Sequence, residues 1–262
     1  MGDKIRGMEI FRYKDNEANT FEDVLVEEKP LTIYLNDNEL VTLLCTPDYL
    51  AELTVGFLTA EGFIKKREDL SEIEVDKEKG LAYVTSKNEN VIAEKSFMKR
   101  YITTGCGKGT TFFNAVDAMI IKRPDEGYKI SVQEIIGLMR DFQKNSDLFK
   151  LTGGVHSAAL CTNKESLIVR EDIGRHNAID KIAGRCFLDD IYLNNKIILT
   201  SGRISSEVML KIAKMGVGII ASRSAPTAMA VDFAKELGIT VIGFVRGQRF
   251  NLYSHPERVY SE

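Results

Sequence analysis

The chain has 262 residues, of which 44% are hydrophobic and 28% charged, and a formal net charge of −3. These values are ordinary for a globular protein with a substantial core, and no apolar run approaches the roughly 20 residues needed to span a bilayer. The polar N-terminus has no apolar export segment, and the four separated cysteines favour neither a disulfide framework nor a cysteine-based zinc site, so we expect a cytoplasmic protein without membrane association.

Residues 1–100 are predicted to form a small α+β domain that begins with a flexible leader over residues 1–20. Alternating apolar and polar residues around the turn "NDN" predict an antiparallel hairpin over Val24–Cys45. A helix is expected next, with Thr46 as its N-cap and Pro47 at its first position. The two short strands expected after this helix cover Ile73–Val75 and Leu81–Thr85.

Residues 101–129 are predicted to hold a glycine-rich loop, "TTGCGKG", and a connecting helix over Thr111–Ile121. The loop does not fit a phosphate-binding P-loop, because Gly109 stands where Ser or Thr must follow the lysine. It also lacks the third glycine and the preceding buried strand of a dinucleotide-binding fingerprint. Two interpretations of Cys106 remain open: a reactive thiol whose thiolate is stabilised by Lys108 and the following helix start, or a small residue in a tight turn.

The remaining cysteines lie on apolar strand or helix faces and are expected to be buried structural thiols: Cys45, Cys161 and Cys186. The three histidines, His156, His176 and His255, could be acid/base or ligand-binding groups. Each alone is more often a hydrogen-bonded structural residue. No spacing of histidine, cysteine and aspartate gives a zinc signature, so no metal is expected.

Residues 130–262 are predicted to form an α/β/α domain. Ser131 and Glu134 fit a capping box that starts the amphipathic helix "SVQEIIGLMRDF". The segments "GGVHSAALC" and "SLIVRED" are predicted to be neighbouring strands, followed by a helix in "HNAIDKIAGRCF". Two strand–helix units then repeat, in "KIILTSGR" with "SSEVMLKIAKMG" and in "VGIIASRS" with "PTAMAVDFAKELG", before a last segment, "ITVIGFVRGQRF". This alternation predicts a largely parallel sheet with helices on both faces.

Polar and basic residues follow the predicted strands at their carboxyl ends, where the ligands of open α/β sheets collect. The segments "TSGRISSE", "ASRSAPT" and "VRGQRF" place there Ser201, Gly202, Arg203, Ser222, Arg223, Ser224, Val245, Arg246, Gly247, Gln248, Arg249 and Phe250. Arg175 and His176 stand at another helix start. Helix N-termini and guanidinium groups favour a phosphate-bearing ligand. The alternative is that these arginines are solvated or paired with acidic residues, namely Asp172, Glu207 and Asp232.

The charge distribution favours an anionic ligand in the C-terminal part. Residues 1–150 carry 21 basic and 27 acidic side chains, whereas residues 151–262 carry 14 and 11, and eight of the 14 are arginines. Arginine is suited to bidentate contacts with phosphate or carboxylate. The basic excess is too small for a nucleic-acid-binding face, so no nucleic-acid partner is expected.

Several segments together resemble one known family: "TTGCGKG", "LTGGVHSAAL", "REDIGRHNAIDK" and the long block from "TSGRISSEVMLKIAKMG" to "NLYSHPERV". In this order they closely resemble the formate dehydrogenase accessory sulfurtransferase (FdhD) family, from about Val24 to the C-terminus. The resemblance implies a cytidine-deaminase-like three-layer α/β/α domain with a smaller N-terminal α+β domain. It also implies a cytoplasmic protein that is usually a homodimer.

The implied function is sulfur delivery by a persulfide carrier. Cys106 is implied to accept sulfur from a cysteine desulfurase and to pass it to the molybdenum or tungsten cofactor that carries two molybdopterin guanine dinucleotides (bis-MGD), before this cofactor enters formate dehydrogenase. The family's cofactor segment falls on Val245–Phe250, so GDP-like nucleotides are expected at the same site, without a catalytic metal. The expected phosphate-binding side chains are Arg175, Arg203, Arg223, Arg246, Arg249, Ser201, Ser222 and Ser224. His176 and Asp180 either orient this site or merely cap and pair.

The sequence departs from the family pattern and from deaminases in two respects. Many family members carry a second cysteine three residues after the first, where this chain has Gly109, so Cys106 is expected to act alone. The His-x-Glu and Pro-Cys-x-x-Cys motifs of zinc deaminases are absent, with "HSA" and "APTAM" in the sequence instead. Two alternatives to a sulfur carrier stay open: a non-catalytic chaperone for the guanine dinucleotide cofactor, and a nucleotide-processing enzyme.

Overall fold

The computed structural model describes residues 3–87, 121, 124–125 and 127–261. Cys106 therefore lies outside the described residues, as does the helix predicted over Thr111–Ile121 apart from its last residue. The described residues form a two-stranded hairpin, a four-stranded sheet with one helix, and a six-stranded sheet with helices on both faces.

The N-terminal part, residues 3–87, forms six strands and one α-helix. In chain order these are β1 (Ile5–Lys14), β2 (Glu17–Val26), β3 (Lys29–Leu35), β4 (Asn38–Cys45), α1 (Leu50–Glu61), β5 (Leu70–Asp76) and β6 (Leu81–Ser86). A short 3₁₀ turn, Arg67–Asp69, precedes β5.

The C-terminal part, residues 127–261, begins with a short strand and two helices and continues with alternating strands and helices. In chain order these are β7 (Ile130–Ser131), α2 (Val132–Lys144), α3 (Asp147–Thr152), β8 (His156–Cys161), β9 (Ser166–Asp172), α4 (Arg175–Leu188), β10 (Ile197–Thr200), α5 (Ser206–Met215), β11 (Ile219–Ser222), α6 (Ala228–Leu237), β12 (Thr240–Arg246), β13 (Arg249–Ser254) and β14 (Val259–Tyr260).

The first twenty residues are not a flexible leader, because most of them belong to the β1–β2 hairpin. The two strands pair antiparallel without interruption, from Ile5 opposite Val26 to Lys14 opposite Glu17. Apolar and polar residues do not alternate clearly here, because both faces of the hairpin mix apolar and charged side chains. Phe11 is 73% exposed even though it lies in a regular strand.

The four-stranded sheet has the order β4-β3-β6-β5 and packs on α1 around one apolar cluster. The predicted hairpin is confirmed for β3 and β4, which turn at Asn36 and Asp37, both with positive φ. The first residues of the predicted hairpin, from Val24 to Val26, belong to β2 instead. The two short strands predicted after the helix are also confirmed, as β5 and β6.

Helix α1 begins at Leu50 and not at Pro47, so Thr46 is not its N-cap. The N-cap is Tyr49, which has a left-handed backbone with φ of 50°. Thr46 is held elsewhere: its amide and hydroxyl donate hydrogen bonds of 3.2 and 3.0 Å to the buried carboxylate of Asp172, far along the chain. The long-range hydrogen bonds to Asp172 therefore prevail over the local preference of Thr46 for a helix N-cap.

The six-stranded sheet is mixed, whereas a largely parallel sheet was expected. Its order is β13-β12-β11-β10-β8-β9, and only the pairs β10–β11 and β11–β12 are parallel. Strands β8 and β13 join it antiparallel to their inner neighbours. The predicted strand–helix units form the parallel centre of the sheet, and antiparallel strands extend the sheet on both sides.

Helices cover both faces of this sheet, which confirms the predicted three-layer α/β/α arrangement. Helices α4, α5 and α6 bury their apolar residues against one face, and α2 packs on the other. The predicted capping box of α2 is present, because the Ser131 hydroxyl accepts from the Glu134 amide and the Glu134 carboxylate accepts from the Ser131 amide. The predicted apolar face of α2 is buried.

Helices α1 and α4 cross at two glycines and thereby join the N-terminal part to the larger sheet. A Cβ atom added to Gly56 would overlap the backbone oxygen of Asp180, and one added to Gly184 would overlap that of Glu52. Only glycine allows the two backbones to approach this closely. Phe187 and Leu188 of α4 extend the contact into the cluster around α1.

Candidate functional site

One edge of the six-stranded sheet gathers the ends of five strands. The parallel strands β10, β11 and β12 end there at Thr200, Ser222 and Arg246. Because β8 runs in the opposite direction, it begins there at His156, and β9 ends there at Asp172. Antiparallel pairing therefore brings the start of α4 to the same edge as the three parallel strand ends.

A cavity of about 610 Å³ opens at this edge. Its walls come from the strand ends and from α2, α3 and the loop between α3 and β8. The lining residues are Phe142, Gln143, Ser146, Phe149, Lys150, Gly153, Gly154, Val155, His156, Ser157, Ile173, Ser201, Arg223, Ser224 and Arg246. Three of them are cationic at neutral pH and none is acidic, so the cavity suits an anionic ligand.

The structure places four of the sequence-predicted site residues in the cavity wall: Ser201, Arg223, Ser224 and Arg246. Gly202 lies directly behind them, because a Cβ added there would be 3.0 Å from the Arg175 Cβ and 3.5 Å from the His156 Nδ1. Arg203 is close enough for its charge to act on His156. Ser222 is buried and supports the backbone: its hydroxyl donates to the Gly202 oxygen at 2.6 Å and accepts from the Ser224 amide at 2.9 Å.

The segment Val245–Phe250 contributes to the cavity through Arg246 alone among the described residues. Val245 is buried in the apolar layer beneath α2, and Phe250 packs against the same layer. Gly247, Gln248 and Arg249 are exposed at the β12–β13 turn, where Gly247 has a φ of 58°. These residues form a hairpin turn and not the start of a helix.

A bulge in β12 aims Arg246 at the cavity. The pairing of β12 with β13 shifts between Gly243 and Arg246, and Phe244 within the bulge has a left-handed φ of 54°. Positive φ is uncommon for an aromatic residue in a strand, and bulges of this kind redirect side chains beside binding sites. The Arg246 Nε donates to the Arg223 backbone oxygen at 3.3 Å, which keeps the two arginines together.

His176 and Asp180 pair within the protein, which is the second of the two roles considered for them. The His176 Nε2 lies 3.0 Å from the Glu207 carboxylate, and Asp180 receives two hydrogen bonds of 2.5 and 2.6 Å from the buried Lys211. Neither residue lines the cavity. Two of the three acidic partners considered for the arginines are engaged elsewhere, since Asp172 pairs with Lys181 and Glu207 lies beside His176.

Several cavity residues were not predicted because they come from the layer opposite the strand–helix units. Gln143 at the end of α2 faces Arg223, and its amide oxygen accepts from the guanidinium at 2.6 to 3.2 Å in the orientation that satisfies both groups. Phe149 and Lys150 belong to α3. The one available signal was the double glycine before β8, Gly153 and Gly154, which lets the chain pass close to the cavity.

Arg175 carries an unused donor beside the cavity. Its Nε is buried and has no hydrogen-bond partner among the residues that the structure describes. A buried donor without a partner is costly, and an anionic oxygen would satisfy it. This observation supports an anion near the start of α4. Within the same described residues, no cluster of three or more His, Cys, Asp and Glu side chains is arranged to hold a metal ion.

His156, which the sequence left open as either an acid/base or ligand-binding group or a structural residue, lines the cavity. Its Nδ1 lies 3.5 Å from the Ser201 hydroxyl. Burial, and then the charges of Arg175, His176 and Arg203, hold the pKa of His156 below its ordinary value. The imidazole is therefore neutral at pH 7, and one of its ring nitrogens can accept a hydrogen bond from a ligand.

We expect an NMR titration of the free protein to give His156 a midpoint below about 6.5, the ordinary histidine value. Pyrophosphate bound in the cavity should raise this midpoint, because an anion favours the protonated imidazole. By linkage, pyrophosphate should bind more tightly as the pH falls through the His156 pKa. The His255 signals are an internal control: that ring contacts Glu257 and the Lys235 carbonyl, away from the cavity, and should not respond to pyrophosphate. An unchanged His156 midpoint would contradict anion binding here.

The three described cysteines are poor nucleophiles. Burial raises the pKa of Cys45 to about 12, of Cys161 to about 11 and of Cys186 to about 12. All three are free and buried, as the sequence predicted. Their thiolates are scarce at neutral pH, and attacking groups cannot reach them.

None of the helices in the described part of the chain is both long enough and apolar enough to cross a bilayer. The fold and cavity together define an α/β/α protein with a basic, arginine-lined cavity at its strand ends. The chain belongs to the FdhD/NarQ family, whose sequence pattern matches residues 26–260. This confirms the resemblance recognised in the sequence.

Individual relatives match over nearly their whole length. The chain is 45% identical over 260 residues to the sulfur carrier protein FdhD of Bacillus subtilis, with 99% of each chain covered. It is 47% identical over 248 residues to the sulfur carrier protein FdhD of Listeria monocytogenes serotype 4b, covering 93% of this chain and 95% of the relative. A crystal structure of a Desulfotalea psychrophila protein, assigned as a formate dehydrogenase accessory protein, superposes with a TM-score of 0.80 at 28% identity, covering 98% of this chain and 100% of that chain.

Proposed function

We propose that this protein is a sulfur carrier for formate dehydrogenase maturation, with Cys106 as the residue that carries the sulfur. Its relatives are named sulfur carrier proteins, and one structural neighbour is assigned as a formate dehydrogenase accessory protein. The observation that carries the assignment to Cys106 is the burial of every other cysteine. Cys45, Cys161 and Cys186 are enclosed thiols with raised pKa values, which leaves Cys106 among the four cysteines of the chain.

The proposed loading step is a thiol exchange with a cysteine desulfurase. The Cys106 thiolate attacks the outer sulfur of the donor's persulfide, the donor's S–S bond breaks, and the donor cysteine leaves as a thiolate. The proton on the outer sulfur stays with it, so Cys106 becomes a persulfide without any other oxidant or reductant. Lys108 and the flanking glycines are the sequence features that suit this loop to the reaction.

The test is mass spectrometry after incubation with a cysteine desulfurase and cysteine. We expect one added sulfur atom, located on Cys106 by peptide mapping and absent from Cys106→Ser. Cys45, Cys161 and Cys186 serve as controls within the same molecule and should stay unmodified, because they are buried. Sulfur on any of those three, or no adduct at all, would refute the carrier assignment. In the second case a cofactor chaperone would be the better description of the protein.

We also propose that the cavity binds the guanine nucleotide ends of bis-MGD, the cargo to which the sulfur is passed, and that GDP-like nucleotides bind there too. Support comes from the cationic wall of Arg223, Arg246 and Lys150, and from the unpartnered donor of Arg175. The volume of about 610 Å³ is in the range of small-molecule sites. Phe149 is partly exposed in the wall and offers an apolar surface for a base.

Arg223→Gln is expected to weaken GDP binding by about tenfold or more, because a hydrogen bond to a charged group contributes roughly 1.5–3 kcal/mol. Isothermal titration calorimetry would measure the loss. Arg140→Gln is the matched control, since Arg140 is an exposed arginine of α2 that does not line the cavity. Equal affinity of both variants for GDP would place the nucleotide elsewhere.

The assembly that we propose is a homodimer in the cytoplasm. A cofactor with two guanine dinucleotide arms offers two similar ends, which would suit a pair of cavities related by a two-fold axis. A desulfurase and an apo-formate dehydrogenase would be its successive protein partners. Light scattering of the purified protein, with and without GDP, would establish whether the dimer exists and whether the ligand promotes it.

A further inference from the structure

A second concave surface lies at the opposite end of α4 from the cavity. It has a volume of about 310 Å³ and is formed where the C-terminal ends of α1, α4 and α5 meet. Helix α4 has 14 residues and is about 20 Å long; it begins beside the cavity, and its residues that line the second surface lie from Asp180 onward. We name this surface the basic groove and define it by Lys65, Lys66, Arg67 and Lys214 around an apolar floor of Ala183, Phe187, Ile191, Leu193 and Met215.

The basic groove has an excess of positive charge. Five cationic side chains line it, against the carboxylates of Asp180 and Asp190. Asp180 is already neutralised by Lys211 at 2.5 Å, so its charge does not reach a ligand. Lys214 donates to the Ala60 carbonyl at 2.5 Å, at the end of α1. Cations at helix C-termini are favourable in themselves, which accounts for Lys214, whereas Lys211 is accounted for by its ion pair with Asp180.

Among the remaining cations, Arg67 makes one long internal contact, in which its guanidinium donates to the Leu70 carbonyl at 3.4 Å. Lys65, Lys66 and Arg67 form a consecutive exposed run on one rim. The Asp69 carboxylate accepts hydrogen bonds of 2.9 and 3.0 Å from the backbone amides of Lys65 and Lys66. These bonds hold the backbone of the rim, while the side chains of both lysines are exposed. The rim carries three adjacent cations against the carboxylates of Glu68 and Asp69, so it keeps a net positive charge that an acidic partner would balance.

The other rim presents apolar and aromatic surface. Ile191 and Leu193 line the groove and are only partly buried, and Tyr192 between them is 71% exposed. The loop is shaped by left-handed backbones at Asp190 and Asn195, with φ of 50° and 56°. Tyrosine and arginine beside a pocket are the residue types that dominate protein–protein hot spots.

We propose that the basic groove docks an acidic, amphipathic segment of a partner protein. One apolar side chain of that segment would enter between Ala183, Phe187 and Met215, while its carboxylates would face Lys65, Lys66 and Arg67. Charge complementarity selects this occupant, because a neutral apolar peptide would leave the cationic rim unpaired and a purely acidic one would leave the floor uncovered. The docking would hold the partner away from the cavity and leave the cavity open to its cargo.

The probe is a fluorescein-labelled synthetic peptide, Glu-Glu-Asp-Leu-Phe-Glu-Asp-Glu, with binding to the full chain followed by anisotropy. The triple variant Lys65→Glu, Lys66→Glu, Arg67→Glu should weaken binding by about tenfold or more, since it reverses the charge of the rim. The matched control is Lys77→Glu with Lys79→Glu, two exposed lysines in the turn before β6, which should change the affinity by less than about twofold. A peptide with serine at both apolar positions should also bind more weakly to the unchanged protein.

Several results would overturn the proposal. If the triple variant and the control lost affinity for the peptide equally, the attraction would be non-specific. If the serine peptide bound as tightly as the original peptide, no apolar side chain would contact the floor of the groove. Absence of binding to the unchanged protein at low salt would also refute it. A change in the protein's own oligomeric state in the triple variant would make the occupant a second copy of the chain. GDP binding should be unaffected by the triple variant, which keeps this test separate from that of the cavity.

Discussion

Replacing Lys181 by alanine is expected to lower the free energy of unfolding by about 3–5 kcal/mol, the usual cost of breaking a buried ion pair. Lys181 is fully buried in α4, with its Nζ 2.8 Å from Asp172, which is also fully buried, and 2.6 Å from Asp48. It also donates to the Thr46 hydroxyl at 2.7 Å. Without the ammonium group, the enclosed carboxylate of Asp172 would lose its ion pair, and Asp48 would keep only the ion pair with Lys4.

Urea denaturation at several pH values would test this expectation and its cause. Burial raises the pKa of Asp48, but Lys181 and Lys4 outweigh it and hold that pKa below its ordinary value. In the unchanged protein, Asp48 therefore contributes stability that is lost as the pH falls below about 3.9. Removing the Lys181 ammonium raises the pKa of Asp48 relative to the unchanged protein, so the deficit in stability should shrink as the pH falls below about 3.9.

The matched control for Lys181 is a lysine whose ion pair is exposed. Lys79 pairs with Asp76 at 3.2 Å with most of its side chain in solvent. Lys79→Ala should cost less than about 1 kcal/mol, because exposed pairs contribute little. A similar small loss in Lys181→Ala would contradict the buried charge cluster. Lys181→Met, which keeps most of the volume, separates the loss of charge from the creation of a cavity.

Gly184→Ala is expected to destabilise the protein by about 1–3 kcal/mol or more, because the new methyl group would overlap the Glu52 backbone at the crossing of α1 and α4. Backbone atoms cannot rotate away as a flexible side chain can, so the two helices would have to separate. The separation would open the apolar cluster around α1. Thermal unfolding followed by circular dichroism would measure the shift in midpoint.

A second glycine-to-alanine change provides the control for Gly184. Gly137 also lies inside a helix, α2, but a Cβ added there would meet only the end of Arg140, at 4.0 Å. Gly137→Ala should therefore stabilise the protein by about 0.5–1 kcal/mol, the helix-propensity difference between the two residues. Opposite signs for the two variants would establish close packing as the cause. A stabilised Gly184→Ala would show that the helices are farther apart.

Elements encoded by neighbouring residues were predictable from the sequence. The capping box of Ser131 and Glu134 depends on contacts within one turn, and its prediction is confirmed. The β1–β2 hairpin was missed because its exposed aromatic residues obscure the alternation expected of a strand. The start of α1 was misplaced because Asp172, more than a hundred residues later, binds Thr46. The direction of β8 was missed because no local pattern encodes strand direction.

The candidate site was predictable in part, for a similar reason. Ser201 and Arg223 directly follow buried strands, and Arg246 is the last residue of one. The rule that ligands collect at strand ends therefore predicted that these three residues line one site, and all three line the cavity. His156, Gln143 and Lys150 reach the same cavity from an antiparallel strand and from the helices of the opposite layer. Their contribution depends on how the layers stack, which is a property of the whole fold and of no single segment.

The Lys181 cluster has a consequence for how the chain comes apart. Its acidic partners approach from two directions, Asp48 from the segment before α1 and Asp172 from the end of β9. Detaching the small sheet would take Asp48 away from the buried Lys181 ammonium and leave it with Asp172 alone, so loosening either portion first carries an electrostatic cost. The described protein should consequently melt in one cooperative step, and a fragment lacking the segment around Asp48 should be a substrate for proteases.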